Sequence, residues 1–413
     1  MNGQAAGPVR VARIRIEVFR APMPSPVVVS FGSIAERAVA MVALEDGDGA
    51  VGRGDIWGNF PSITTEYRAR LAGRLLPDLL LGRTVDDIPA HYARMMRQLR
   101  VLAIQSGEYG PVAAVVAAAD QALWDLAARR RGVPLRRLLD TAAPNAANIT
   151  DGGVGAAALN AASITDGGVD AAARDRIPAY ASGLNPDDGP EMAGRAREAG
   201  HRNFKLKVGF GEQTDRANVE AIRRDMRAGE RLFVDANQRW DLETAEQAAG
   251  WLADAGVGWL EEPMRADAPD EHWQRLRTAM RLPLAGGENL PDHGLIDRAL
   301  GWLDIMQPDV GKWGGVSDNA AIARRTLARG RTYCPHWLAG GLGLLHSANI
   351  LAAAGGGGLL EMDVNPNPLR DAVVGDALKV EDGHVRLPDG PGLGIELDPE
   401  AMARWRTASE EFA

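Results

Sequence analysis

The chain has 413 residues, 46% of them hydrophobic and 24% charged, a normal globular balance on a length that fits a barrel plus a second domain. With 46 basic against 55 acidic side chains the formal charge is −9, which argues against nucleic acid or an anionic membrane as the partner. It leaves an anionic small molecule open, because a few cations in a pocket outweigh the global sign.

The first twenty residues contain no apolar stretch of the kind a secretory signal needs. Residues 13–19 alternate as a strand does, and residues 38–44 and 50–54 flank an Asp-Gly-rich turn and read as a hairpin. Residues 111–131 follow as a helix: Val112, Val115, Val116, Ala119, Leu123 and Leu126 keep a helical period and Gly132 ends it. The most apolar run, 112–119, is expected to stop at Asp120, far short of a membrane span. The single cysteine, Cys334, excludes an intramolecular disulfide and a cysteine-based metal site, and it suits a reducing cytoplasm.

Residues 141–176 differ in composition. They are rich in Ala, Gly, Asn and Asp, and residues 145–154 return almost unchanged at 160–169. One pair of copies is too short for a solenoid, and the Asp-Gly-Gly pieces lack the spaced acids of a calcium loop. A duplicated flexible surface linker is expected.

From residue 177 short apolar runs alternate with amphipathic stretches, at 177–182, 204–208, 232–236, 257–261, 284–288, 304–307, 332–336 and 359–364. Eight strands at this spacing are the pattern of a parallel β/α barrel. The last run leads into Asn365-Pro366-Asn367-Pro368, which cannot continue as regular helix.

Polar residues cluster at the C-terminal ends of these strands, the end that carries the active site in β/α barrels. In the second strand Lys205 and Lys207 share a face, and two neighbouring ammoniums lower each other's pKa, which makes a lysine a usable base. On an edge strand the same pair would be an ordinary solvated one. Asp235, Glu261 and Glu288 end the third, fourth and fifth strands. Any one alone would be a strand cap; three in succession suit a hard cation, chiefly Mg²⁺ with Mn²⁺ as a substitute. Asp309 and His336 end the sixth and seventh strands, and a carboxylate beside an imidazole makes a general base. Glu361 ends the eighth, placed to bond a substrate oxygen or to neutralise a lysine. Asn237, Trp57, Asn59 and Trp337 are expected to contact substrate, the tryptophans lending the pocket a less polar wall than a long sugar acid would favour.

Together these motifs resemble the mandelate racemase subgroup of the enolase superfamily over nearly the whole chain. The matching pieces are Ala122-Leu123-Trp124-Asp125-Leu126, Lys205-Leu206-Lys207, Val234-Asp235-Ala236-Asn237, Glu261-Glu262-Pro263, Gly287-Glu288-Asn289, Pro308-Asp309, Lys312-Trp313-Gly314-Gly315 and His336. The resemblance implies an α/β fold: a (β/α)7β barrel (modified TIM barrel) over 177–365, under an α+β capping domain. That domain would be built from residues 1–140 and a tail, 366–413, that returns to it, with 141–176 as linker. It also implies that Asp235, Glu261 and Glu288 bind one Mg²⁺, with Glu262 as the rival in the fourth strand. Lys207 would be one base and His336 with Asp309 the opposed one. Lys205 would bind the substrate carboxylate and depress Lys207, and Glu361 would bond the enolised carboxylate. The expected reaction is removal of a proton α to a carboxylate, followed by loss of water from an acid sugar. Racemisation or epimerisation of a hydroxy acid and cycloisomerisation of a lactone are the alternatives, and an inactive ligand-binding barrel is a remote one. A homo-oligomer, dimer to octamer, acting in the cytoplasm on a small carboxylate is expected.

Overall fold

The structure is a computed structural model and describes residues 8–29, 32–141, 175–398 and 400–413. Both copies of the repeat, and nearly all of the expected linker, lie outside the described residues.

The alternating N-terminal sequence forms β1 (Val9–Val29), which pairs antiparallel with β2 (Gly32–Asp46), and β2 pairs with β3 (Val51–Ile56). Asp46 closes the turn between β2 and β3, accepting the Asp48 and Ala50 amides at 2.9 Å. Residues 22–29 are the far end of β1. Pairing resumes at Val27↔Ile34, where Val27, Ile34, Met23 and Phe60 bury one another.

Helices α1 (Thr64–Leu80), α2 (Ile88–Ser106), α3 (Tyr109–Arg130) and α4 (Leu135–Thr141) follow, with the short β4 (Thr84–Val85) between the first two. Helix α3 is long and apolar enough to cross a membrane by composition, but it is almost wholly buried among β3 and the neighbouring helices. As expected, the helix runs on past the apolar run that stops at Asp120, and Asp120, Gln121 and Asp125 are buried inside it, each bonded outside the helix.

The barrel strands are β5 (Arg176–Leu184), β6 (Asn203–Lys207), β7 (Arg231–Asp235), β8 (Leu260–Glu261), β9 (Leu284–Gly286), β10 (Ile305–Met306), β11 (Thr332–Tyr333) and β12 (Leu360–Asp363). They run parallel, β5 to β11 in chain order, and β12 returns to pair with β5. The intervening helices are α5 (Gly189–Glu198), α6 (Glu212–Asp225), α7 (Leu242–Asp254), α8 (Asp270–Ala279), α9 (His293–Ala299), α10 (Gly315–Ala328) and α11 (Gly341–Ala354).

The period of two places the site. Tyr180, Phe233, Trp259, Ala285, Ile305, Cys334 and Leu359 plug the barrel interior, with Phe233 stacked on Trp259 at 3.5 Å between centroids. Two residues further along five of these strands come Asp235, Glu261, Gln307, His336 and Glu361, so a polar layer sits directly on an apolar one.

The tail serves both units. After α12 (Pro368–Val374), strands β13 (Val380–Glu381) and β14 (His384–Arg386) form a hairpin that pairs with β5, and only β15 (Arg406–Phe412) joins β1. The units are also tied by a buried ion pair: Arg37 Nη2 of β2 lies 2.6 Å from Asp363 Oδ2 of β12, with 1% and 4% of the two side chains exposed. Removing one partner strands a buried charge, so Arg37→Met is expected to cost about 3–5 kcal/mol in equilibrium urea unfolding. A change below about 1 kcal/mol, the range of exposed pairs, would contradict this.

Candidate active site

The strand ends deliver their side chains to the mouth. On β6, Lys205 Nζ lies 2.5 Å from Glu261 Oε1, 2.8 Å from Glu361 Oε1 and 3.6 Å from Asp235 Oδ2. Lys207 Nζ lies 2.6 Å from Asp235 Oδ2. Burial lowers both lysines, and Lys205 pulls Lys207 downward as expected, but the net shift is the other way: Glu261 and Glu361 hold Lys205 well above its ordinary value and Asp235 raises Lys207.

Across the ring, His336 Nδ1 is 2.7 Å from Asp309 Oδ2, and its Nε2 meets Glu288. Asp309 is fixed through its other oxygen, which accepts the Gly311 and Lys312 amides at 2.8 Å. Burial disfavours the imidazolium, yet Glu288, Glu361 and Asp309 hold His336 well above its ordinary value. Glu288 is in turn held well below, His336 and Lys312 outweighing burial. Glu361 accepts Ser182 Oγ at 2.6 Å and the Trp337 amide at 3.1 Å, and against burial Lys205 and His336 lower it.

The four expected substrate contacts fare differently. Trp337 is not on the pocket wall: its side chain is buried, the indole donating to the Gly340 carbonyl at 2.6 Å and the ring filling the space beside Gly311 and Gly343. Asn59 is buried and turned toward Arg37, 3.5 Å from Nη1. Asn237 sits in left-handed backbone (φ 43°) and donates its main-chain amide to Asp235 Oδ1 at 2.8 Å and its side-chain amide to Oδ2 at 3.1 Å, so it orients that carboxylate. Trp57 stays partly exposed with Lys312 Nζ 5.1 Å and Arg68 Cζ 5.2 Å from its ring.

Several residues of the site escaped sequence reasoning. Gln307 Nε2 donates to Glu261 Oε2 at 2.7 Å. Lys312 Nζ lies 2.9 Å from Asn289 Oδ1 and 3.3 Å from Glu288 Oε1. Asn289 Nδ2 bonds both oxygens of Glu262 at 2.9–3.0 Å and Glu288 Oε1 at 2.9 Å. Gln307 lies two residues before Asp309 in the same strand run, a signal that was available; Lys312 and Asn289 sit in loops with no period to place them.

Charge decides what the cluster fits. Asp235, Glu261, Glu262, Glu288, Asp309 and Glu361 outnumber Lys205, Lys207 and Lys312 by three. Burial, reinforced by Asp235 and Glu361 against Lys205, pushes Glu261 up to about 8, and burial with Glu288 holds Glu262 well above the carboxylate range. A surplus of buried carboxylate oxygen suits a hard divalent cation. In the arrangement seen, no three carboxylate or imidazole groups among the described residues stand close enough to share an ion. Asp235, Glu261 and Glu288 are each drawn to a separate cation: Lys207, Lys205 and His336. Asp235 stands opposite Glu261 on adjacent strands about 4.8 Å apart, and Glu288 follows three residues after Ala285, the residue opposite Glu261 on the next strand.

A capped (β/α)7β barrel with carboxylates on successive strand ends has the architecture of the enolase superfamily. Family models agree: an enolase C-terminal domain-like model matches residues 190–401, and a mandelate racemase/muconate lactonizing enzyme N-terminal domain model matches 13–140. The chain belongs to the mandelate racemase/muconate lactonizing enzyme family. A structure described as mandelate racemase/muconate lactonizing enzyme from Bordetella bronchiseptica RB50 is 40% identical with a TM-score of 0.83, over 96% of this chain and 99% of that one. D-galactarolactone cycloisomerase of Agrobacterium fabrum is 26% identical over 96% of this chain and 99% of its own length. L-talarate/galactarate dehydratase of Salmonella typhimurium LT2, liganded with Mg and L-lyxarohydroxamate, is 25% identical with a TM-score of 0.80, over 100% of this chain and 97% of that one.

Proposed function

We propose that this protein is a Mg²⁺-dependent enzyme that removes the proton α to a carboxylate of an acid sugar and then expels water. The observation that carries this reading is the placing of Lys207 and the His336–Asp309 pair on either side of one carboxylate cluster. Asp235, Glu261 and Glu288 would hold the ion, with Glu262 bonded to Asn289; Mn²⁺ would substitute. When bound, it supplies positive charge where the substrate carboxylate gains negative charge as the proton leaves.

Lys205, wholly buried, adds its ammonium to the same developing charge, and Glu361 bonds the substrate carboxylate from the other side. Lys207 takes the proton on one face. Asp235 is what holds Lys207 protonated, so with Asp235 engaged as a ligand, burial and Lys205 are left to lower it toward a usable base. His336, oriented by Asp309, works on the other face: protonating a departing β-hydroxyl gives dehydration, and returning a proton to the α carbon gives racemisation or epimerisation. A second reading, cycloisomerisation of a lactone, is favoured by the near full-length match to D-galactarolactone cycloisomerase.

A homo-oligomer acting on a small carboxylate in a reducing cytoplasm, without nucleic acid or membrane, completes the reading. Val101, Leu102, Ile104 and Tyr109, exposed at the ends of α2 and α3, support the oligomer. The test is incubation with Mg²⁺ in D₂O against a library of sugar acids, diacids, hydroxy acids and lactones, read by mass and NMR. Loss of water supports dehydration, and deuterium uptake without mass loss supports racemisation or epimerisation. Metal binding with no exchange on any acid would sink the reading in favour of an inactive barrel.

A further inference from the structure

Helices α10 and α11 both begin without a cap of their own. Their N-cap positions are Gly314 and Gly340, which offer no side-chain acceptor, whereas α7, α9 and α12 are capped from within by Asp241, Asp292 and Asn367. The missing acceptors come from the capping domain. Asp120 of α3 accepts the Ser317 amide at 2.9 Å and the Ser317 hydroxyl at 2.6 Å, in the first turn of α10, while Tyr92 of α2 accepts the Gly314 amide at 2.9 Å. Asp55 of β3 accepts the Gly343 amide at 2.9 Å in the first turn of α11, and bonds the Leu342 amide as well. Glycine makes this possible: a Cβ at Gly315 or Gly340 would run into the carboxylate of Asp120 or Asp55. Gln121 couples the two sites, joining the Asp55 amide and carbonyl to the Val310 carbonyl with three bonds of 3.2 Å.

These helices follow the strands that carry Asp309 and His336, and each starts a few residues beyond one of those side chains. The loop after Lys207 is held differently: Asp215, inside the barrel on α6, accepts the Gly209 and Phe210 amides at 2.9 and 3.2 Å.

We propose that Asp55 and Asp120 are positioning residues through which the capping domain caps α10 and α11 in trans, fixing the His336–Asp309 pair while leaving the Lys207 side to the barrel. This rests on the reading of Lys207 and His336 as the two proton-transfer groups. It couples capping-domain docking to the assembly of one half of the site. Both carboxyls are fully buried, and burial pushes Asp55 up to about 7 and Asp120 up to about 8 against the amides that lower them. In either protonation state each presents an oxygen that accepts the helix amides, a role an amide side chain reproduces.

The test compares Asp55→Leu and Asp120→Leu with Asp55→Asn and Asp120→Asn, each as the full chain. Deuterium exchange is read separately for the two substrate epimers, alongside amide exchange of peptides that cover the starts of α10 and α11. The Leu variants are expected to slow the His336 face at least about tenfold more than the Lys207 face, a size typical of a misplaced catalytic group. They are also expected to lose amide protection at Ser317 and Gly343, and the Asn variants to restore both. Equal slowing of both faces, or no rescue by Asn, overturns the proposal. Should the Leu variants not fold, Gln121→Met, which cuts only the coupling bonds, is expected to give the same face-selective slowing, and equal slowing overturns it too. A wild-type chain that exchanges no substrate proton counts against the functional reading instead, while the amide protection still reports on the caps.

Discussion

With Lys207→Ala, α-proton exchange in D₂O is expected to fall about 10²–10⁴-fold on one face of the substrate, the usual worth of a positioned acid or base. The other face stays within reach of His336. His336→Asn is expected to give the mirror result, because asparagine keeps much of the shape and loses the titrating ring. The asymmetry follows from the geometry: Lys207 ends β6 and His336 lies three residues beyond β11, each with its own carboxylate partner, Asp235 for Lys207 and Asp309 for His336. Chiral NMR of recovered substrate measures it. Unchanged exchange in both variants would remove the assignment of both residues.

Loss of a carboxylate ligand is expected to act on both faces at once. Asp235→Asn and Glu261→Gln should each weaken Mn²⁺ binding, followed by electron paramagnetic resonance, by more than the 10–100-fold typical of losing a residue that only supports a ligand. Exchange on either face should then fall below detection, as it should when wild type is treated with a chelator. Glu262→Gln is the contrast. Glu262 is bonded to Asn289 rather than to the lysines, so its loss should leave binding largely intact. Equal weakening by Glu261→Gln and Glu262→Gln would mean that the wrong member of the pair has been assigned.

How much of this was legible in the sequence follows the range of the interactions. The period of two along 232–236 and 257–261 places Phe233 and Trp259 beneath Asp235 and Glu261, and any strand with that pattern must present them so. The helical period through Leu123 and Leu126 made α3 legible as one helix, but not the burial of Asp120 inside it. A buried aspartate needs partners, and Asp120 finds them in Val316 and Ser317, nearly two hundred residues away. Trp337 was misplaced for a related reason: an aromatic next to His336 reads as a pocket wall until the space beside Gly311 and Gly343 is seen to hold its ring. The pull of Lys205 on Lys207 was legible, but not the carboxylates that outweigh it, because Asp235, Glu261 and Glu361 come beside the lysines only when the sheet closes.

By itself, then, the sequence determined the barrel with its strand order, helix α3, and the placing of Asp235 and Glu261 at strand ends, since these depend on local periodicity. Only the tertiary structure decided the charge state of those side chains, the orientation of Glu261 by Gln307, and the capping of α10 and α11 by Asp120 and Asp55. Each of these is a contact between residues on different elements, and electrostatic and hydrogen-bond energies depend on distances that no single stretch of chain contains.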